Sequence, residues 1–192
     1  MKSKIIRMAP VRLLVLSMTS LLIVGAATAG RNVAAPQANP VFSSSYTDLT
    51  KCGSGMTKKE EREAEKHGQD IPTLCKGYDG YSVSIDYSAC ASSFRITKGE
   101  EDISLGMQSV GWKQKTVEWR MANGKPFAVI MRFYEYEGDD LCASNGKIKS
   151  ESLMVRGLKG FEHIEESVDA RTPNANVKAR ELADKGFARP KS

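Results

Sequence analysis

The chain has 192 residues, of which 28 are basic and 23 acidic, and its formal net charge is +5. Four of the basic residues and none of the acidic ones precede position 30, so 24 basic and 23 acidic residues remain beyond it. This near balance gives no argument for a nucleic-acid partner. The remaining length is sufficient for one domain with its own hydrophobic core.

The first segment has the pattern of an export signal. Basic residues as far as Arg12 precede an apolar run from Leu13 to Val24, and small residues follow as far as Ala29. The pattern predicts a secretory signal peptide over residues 1–29 and a periplasmic or secreted protein. An uncleaved membrane anchor is the alternative, but the apolar run is shorter than the ~20 residues of a spanning helix. We therefore expect no stable membrane insertion after cleavage.

The exported part divides into a tether and a domain that contains all the cysteines. Residues 30–45 are rich in Ala, Pro, Asn and Ser and predict a flexible tether, followed by one globular domain over 46–192. The four cysteines predict two disulfides, for which three pairings are possible. We favour Cys52–Cys75 with Cys90–Cys142, because the first pair encloses one local excursion of the chain. The spacing indicates neither redox chemistry nor a zinc site.

The segment 116–136 predicts the central hairpin of an antiparallel sheet. Its first half alternates apolar and charged residues, and its second half is apolar on both sides, as in a strand that is covered on both faces. Asn123-Gly124 favours a two-residue type I′ turn. A three-residue loop that includes Ala122 would instead pair Trp119 with Phe127 and make one face uniformly large and apolar. Because a buried face fixes register, we expect the three-residue loop.

The flanking segments predict further strands, a charged turn and one helix. Period-two patterns indicate strands at Tyr81–Tyr87, around Phe94 and Ile96, at Ile103–Met107 and after Leu153. Thr57 and Glu60 form a predicted capping box for a solvated turn or short helix. A C-terminal helix over about 173–186 has Thr172 as its expected N-cap, with Leu182 and Phe187 on its apolar stripe. The predicted fold is a single α+β domain, an antiparallel sheet covered by this helix. A β-sandwich with an appended helix is the alternative.

Three segments together resemble a known family. They are Cys75-x-Gly77-x-x-Gly80-Tyr81, the hairpin strands around Trp119 and Phe127, and the Thr172–Asp184 segment. In this order they are similar to a family of small exported bacterial proteins with no assigned activity. The resemblance covers about Tyr46 to Phe187 and implies an exported single domain. Because the family has no assigned activity, the resemblance implies no catalytic residues for this chain.

No residue pattern in the chain predicts catalysis, a metal site or a cofactor. His163 lies beside several glutamates and could act as a ligand or base, but it and His67 are more typical of ordinary surface histidines. Ser54 lacks the spacing of a nucleophile elbow. Asp139 and Asp140 lie in a polar loop without EF-hand spacing. The glycines near Cys75 precede a strand, whereas nucleotide-binding motifs precede a helix.

The aromatic residues supply the candidate binding surface. Tyr134 and Tyr136 are two positions apart in the second hairpin strand, and both lie on the face opposite the one predicted for Trp119. The loop that contains Asp139 and Asp140 comes next. The two tyrosines would meet either the C-terminal helix or a partner. With Asp139 and Asp140 they form the candidate binding surface for an envelope protein or a glycan. The leading hypothesis is an exported non-catalytic binding or inhibitory module of the bacterial cell envelope. A periplasmic hydrolase built around His163, or a structural or stress-related envelope protein, is the alternative.

Overall fold

The computed structural model describes residues 39–109, 114–138, 142 and 147–189. The predicted signal peptide, most of the predicted tether, and Asp139 and Asp140 lie outside these residues. The strands are β1 (Phe42–Asp48), β2 (Thr73–Lys76), β3 (Ser82–Tyr87), β4 (Ala91–Lys98), β5 (Glu101–Ser109), β6 (Thr116–Ala122), β7 (Lys125–Tyr136), β8 (Ile148–Gly157) and β9 (Glu165–Asp169). The helices are α1 (Lys58–Lys66) and α2 (Ala175–Ala188), with a short 3-10 helix at Leu49–Lys51.

The strands form two antiparallel sheets. A five-stranded sheet has the order β1-β6-β7-β8-β9, and a four-stranded sheet has the order β2-β3-β4-β5. The chain thus leaves the first sheet after β1, builds the whole second sheet, and returns to place β6 beside β1. β1 begins at Phe42, so residues 42–45, which we assigned to the tether, belong to the sheet. Phe42 is the one apolar residue among these four, so the segment contains no apolar alternation that would predict a strand.

The main core lies between the two sheets. It combines apolar side chains of β3, β4 and β5 with those of β6 and β7, and Trp119 is fully buried within it. The indole Nε1 of Trp119 donates a hydrogen bond to Oγ1 of buried Thr47, at 2.9 Å, so the buried ring leaves no polar atom unpaired. A Cβ at Gly77 would collide with the Trp119 ring, which explains why the turn before β3 carries glycine there.

The opposite face of the five-stranded sheet is covered by α2. Ala175, Ala179 and Ala183 of the helix are buried against apolar residues of β7 and β8. This covering confirms the inference that β7, apolar on both sides, is a central strand. The architecture confirms the predicted single α+β domain built around the hairpin with a C-terminal helix. The stacked sheets share a feature with a sandwich, but α2 is part of the core and is not an appendage.

The start and the apolar stripe of α2 differ from the prediction. The helix begins at Ala175, and Asn174, in a left-handed conformation with φ 59°, occupies the N-cap position that we expected for Thr172. Leu182 is only half-buried and lies outside the core cluster, whereas Gly186 is buried within the helix. A Cβ at Gly186 would lie 2.7 Å from Ile164 Cγ1, so a glycine is needed for this close approach.

The hairpin turn also differs from the prediction. Asn123 and Gly124 have φ values of 50° and 78°, and Ala122 pairs with Lys125, which define a two-residue turn. The register then shifts, so that Trp119 pairs with Val129 and Phe127 is the extra residue of a β-bulge. The expected pairing of Trp119 with Phe127 is therefore wrong. The bulge sends Phe127 to the α2 side and still leaves Trp119 and Val129 on the same buried face.

A second bulge displaces Met107 from the core. The register of β4 and β5 shifts next to Phe94, and Leu105 becomes the extra residue. Leu105 is buried, but Met107 is 62% exposed, contrary to the shared apolar face that the alternation predicted. Gly106, which lies between Leu105 and Met107, has a φ of 100° and faces the ring of Phe133.

The disulfides and the first helix follow the prediction. Cys52 is bonded to Cys75 and Cys90 to Cys142, with Cα–Cα distances of 4.9 and 4.7 Å. Thr57 caps α1 in a capping box completed by Glu60. Two structural disulfides are typical of a protein that folds in an oxidising compartment.

Candidate functional site

A surface cavity lies on the α2 side of the five-stranded sheet, next to the N-terminal turn of the helix. We call it the groove; its volume is about 500 Å³, which is within the range of small-ligand sites. Side chains of β1, β6, β7, β8 and the first turns of α2 contribute to it. The residues that line it are Tyr46, Gln114, Lys115, Thr116, Glu118, Ile130, Arg132, Tyr134, Leu153, Asn176 and Arg180.

Arg180 joins the helix to one wall of the groove. Its Nε donates to Oε1 of Glu118 at 2.6 Å and its Nη2 to Oε2 at 3.1 Å, forming a bidentate pair with the nearly buried carboxylate. The same Nη2 donates to the Tyr46 hydroxyl at 3.0 Å. The hydrogen bonds from Arg180 to Glu118 raise the pKa of the guanidinium above its ordinary value. Arg180 is therefore a fixed cation at the edge of the groove.

A second ion pair continues this network along the helix. Arg120 donates from Nε and Nη2 to the two carboxylate oxygens of Asp184, at 2.7 and 2.6 Å. Its Nη1 donates to the Ser44 hydroxyl, which donates in turn to Glu118 Oε1 at 2.6 Å. The network connects β1, β6 and α2, and it holds Arg180 in place through groups that are largely shielded from water.

Arg132 and two tyrosines form the β7 side of the groove. Arg132 Nη1 donates to Glu151 Oε2 at 2.9 Å, and both side chains are about one-third exposed. Burial is the main cause of the raised pKa of Tyr134, and it also raises the pKa of Tyr136, next to Tyr134. The Tyr136 hydroxyl is buried and makes no hydrogen bond with any described residue.

The groove is predominantly cationic. Lys115, Arg132 and Arg180 line it, and Glu118 is the one acidic residue among the described lining side chains. Asn176 brings the first turn of α2 to the rim, and that turn contains no acidic residue and no side-chain cap. Glu118 and Glu151 compensate Arg180 and Arg132, so Lys115 supplies the excess positive charge, and the positive end of the helix dipole adds to it.

The structure places part of the predicted binding surface at this groove. Tyr134 lines it, and Tyr136 lies on the same side of β7, two positions further along. Asp139 and Asp140 are outside the described residues. The sequence analysis missed Arg180, Glu118 and Tyr46. A signal was present, because Asn176, Arg180 and Asp184 recur every four residues on α2 and predict a polar stripe beside the apolar one.

The other candidates for chemistry have local structural partners. His163 Nε2 lies 2.9 Å from the Gly186 carbonyl oxygen, at the last turn of α2. His67 is exposed at the C-cap of α1. Ser54 donates to Glu61 Oε1 and accepts from the Met56 amide, which accounts for its hydroxyl. Among the described residues, no group of three or more His, Cys, Asp or Glu is arranged to hold a metal ion.

Comparisons with known proteins do not assign the chain to a family. No family model matches it, and neither the curated proteins nor the solved structures include a significant match. Within the part of the chain that the structure describes, no helix is long and apolar enough to cross a membrane. The fold and the groove therefore define an α+β domain with a cationic surface cavity.

Proposed function

We propose that this protein is an exported, non-catalytic binding module of the bacterial cell envelope, and that its groove holds an acidic group of an envelope protein or glycan. The observation that carries the proposal is the groove lining, in which three cations and the N-terminus of α2 meet Glu118 and the Glu151 carboxylate paired with Arg132, an excess of one positive charge. An acidic group would interact favourably with each of these features.

The pairing within the groove favours binding over turnover. Glu118 is engaged by Arg180 and Ser44, and Arg132 is held by Glu151, so these side chains are ordered before a ligand arrives. Such preorganisation lowers the entropic cost of association. Lys115 is exposed and forms no ion pair with any described residue, so it can form a new one with a ligand. The hydrolase alternative would need His163 beside a carboxylate, whereas its Nε2 lies at hydrogen-bonding distance from the Gly186 carbonyl.

Two observations support export. Residues 1–29 have the composition of a signal peptide, and both disulfides suit an oxidising compartment.

The test compares two glutamates introduced into the first turn of α2. Asn176→Glu places a carboxylate at the rim of the groove, and Val177→Glu makes the same change of charge at the neighbouring exposed residue, which does not line the groove. Both substitutions favour the helix through its dipole, so both variants should fold. The oxidised proteins are immobilised and exposed to envelope extract, to soluble muropeptides and to a glutamate-rich peptide.

The expected result is saturable retention of at least one acidic probe by the wild type and by Val177→Glu, with about tenfold weaker retention by Asn176→Glu. The muropeptide and peptide arms separate a glycan from a protein partner. Equal binding by both variants, or no saturable binding to any probe, would overturn the proposal.

A further inference from the structure

A second cavity lies at the other end of α2 and shares no lining residue with the groove. We call it the phenylalanine cavity; its volume is about 540 Å³. It lies where the β6–β7 turn, the segment after β8 and the last turns of α2 meet the start of β5 in the four-stranded sheet. Its lining residues are Asp79, Tyr81, Lys98, Glu101, Ala122, Asn123, Lys125, Pro126, Phe127, Lys159, Phe161 and Phe187.

One wall of the phenylalanine cavity is aromatic. The ring centroid of Phe187 lies 4.9 Å from that of Phe127 and 5.0 Å from that of Phe161, onto which it stacks. Phe127 is buried, but Phe161 and Phe187 are only half-buried and line the cavity. Half-buried aromatic rings that line a cavity of this size provide apolar surface that a ligand can cover.

Three lysines also line the cavity, and two of them are already held by carboxylates. Lys98 Nζ lies 3.0 Å from an Asp79 carboxylate oxygen and 4.6 Å from the ring centroid of Tyr81. Lys159 Nζ lies 2.9 Å from Glu101 Oε1. These carboxylates fix the two ammonium groups at the cavity.

Lys125 differs from the other two lysines. It is exposed at the start of β7 and forms no ion pair with any described residue. With Asp79 and Glu101 counted against the three lysines, the lining has a formal net charge of +1. This charge is complementary to a single negative charge, and Lys125 is the cation that is free to pair with it.

We propose that the phenylalanine cavity binds a small amphipathic carboxylate, with an apolar chain against Phe161 and Phe187 and the carboxylate paired with Lys125. The apolar part would cover the exposed aromatic surface, and the single charge would balance that of the lining. The site is independent of the groove, so its ligand need not be the partner that the groove binds.

The test uses octanoate as the probe and the full oxidised protein. Titration followed by NMR and calorimetry should show saturable binding, with chemical-shift changes at the ring protons of Phe127, Phe161 and Phe187. Octanol, which has the same chain without the charge, should bind about tenfold more weakly, as should octanoate to Lys125→Gln. Lys115→Gln removes an exposed lysine from the groove instead and should bind octanoate like the wild type.

Several outcomes would overturn the inference. They are the absence of saturable octanoate binding, equal affinities for octanol and octanoate, an unchanged affinity in Lys125→Gln, and shift changes away from the three phenylalanines. Because Lys115 belongs to the groove, the two lysine variants distinguish failure of this site from failure of the proposed function.

Discussion

Arg120 shows how a single side chain joins α2 to the five-stranded sheet. Its side chain is 11% exposed and that of Asp184 is 23% exposed, so each charge depends on the other for compensation. We expect Arg120→Met alone to lower the free energy of unfolding by about 2–3 kcal/mol, because it leaves Asp184 unpaired in a partly buried site. The double variant Arg120→Met/Asp184→Leu should lose less free energy of unfolding than the two single variants lose together.

A double-mutant cycle in urea measures this coupling. We expect a coupling energy of at least about 1 kcal/mol for the Arg120–Asp184 pair. The coupling energy should be smaller for the exposed pair Lys149–Glu135, whose side chains are 62% and 57% exposed. Equal coupling energies for the two pairs would contradict the structural role that we assign to Arg120.

Tyr81 gives the stability of the domain a dependence on alkaline pH. Burial, together with the negative charge of Glu101 and the hydrogen bond to it, raises the pKa of Tyr81 from 10.0 to about 12. Above pH 10 the unfolded chain therefore loses this proton while the folded protein keeps it, and folding stability decreases as pH rises. The contribution is fully present below pH 10 and is lost between pH 10 and 12, amounting to at most about 2.7 kcal/mol.

Phenol absorbance at 295 nm and urea unfolding between pH 9 and 12 check this prediction. Tyr81→Phe should remove one late-titrating phenol and flatten the decrease in stability over this range. Tyr78→Phe, a change at a half-buried tyrosine near the same turn, is the control and should leave the decrease in place. An unchanged slope in Tyr81→Phe would show that another group causes it.

At the scale of elements, we expect Phe187 in the last turn of α2 to contribute more to stability than Leu182 in the turn before it. Phe187 contacts the rings of Phe42, Phe127 and Phe161, whereas Leu182 is half-buried and lies outside the core cluster. We expect Phe187→Ala to lower the free energy of unfolding by about 3 kcal/mol and Leu182→Ala to lower it by about 1 kcal/mol. Urea unfolding of the two variants provides the measurement, and a larger loss for Leu182→Ala would mean that α2 packs through a different face.

The elements also show what the sequence could predict. Alternation identified β3 and β6, because their buried faces carry large side chains at a period of two, and a run that is apolar on both sides identified β7. The register was not predictable, because the bulge at Phe127 depends on a pocket of aromatic rings from β1, α2 and the segment after β8. Such contacts join residues that are distant in sequence and leave no local pattern. β1 was missed in part for the same reason, since Ser43–Ser45 are strand residues through their pairing with β6.

The candidate site was predictable to a smaller extent. Tyr134 could be identified because it lies on the side of β7 that faces away from Trp119, but its neighbours in the groove come from β1, β6, β8 and α2. Arg180 and Glu118 are 62 positions apart in the sequence, and only the packing of α2 on the sheet brings them together. Charged residues on a helix are usually solvated, so the pattern on α2 alone did not indicate a site.

At the scale of the whole molecule, both disulfides join the four-stranded sheet to the five-stranded one. Cys52 follows β1 of the larger sheet and is bonded to Cys75 in β2, near the start of β3. Cys90 lies beyond the end of β3 and is bonded to Cys142, between β7 and β8. The second sheet is thus tied to the first near both ends of β3, in addition to the shared apolar core.

This arrangement predicts that each disulfide alone stabilises the domain by restricting the unfolded chain. The separations of 23 and 52 residues correspond to about 3.5 and about 4 kcal/mol in the loop-entropy model. Two variants, each lacking one cysteine pair through paired Cys→Ala changes, isolate the bonds. Comparing the oxidised and reduced forms of the same variant by urea unfolding cancels the packing lost at the substituted cysteines. We expect each oxidised form to be more stable by at least about 2 kcal/mol, and equal stabilities would show that apolar packing alone holds the sheets together.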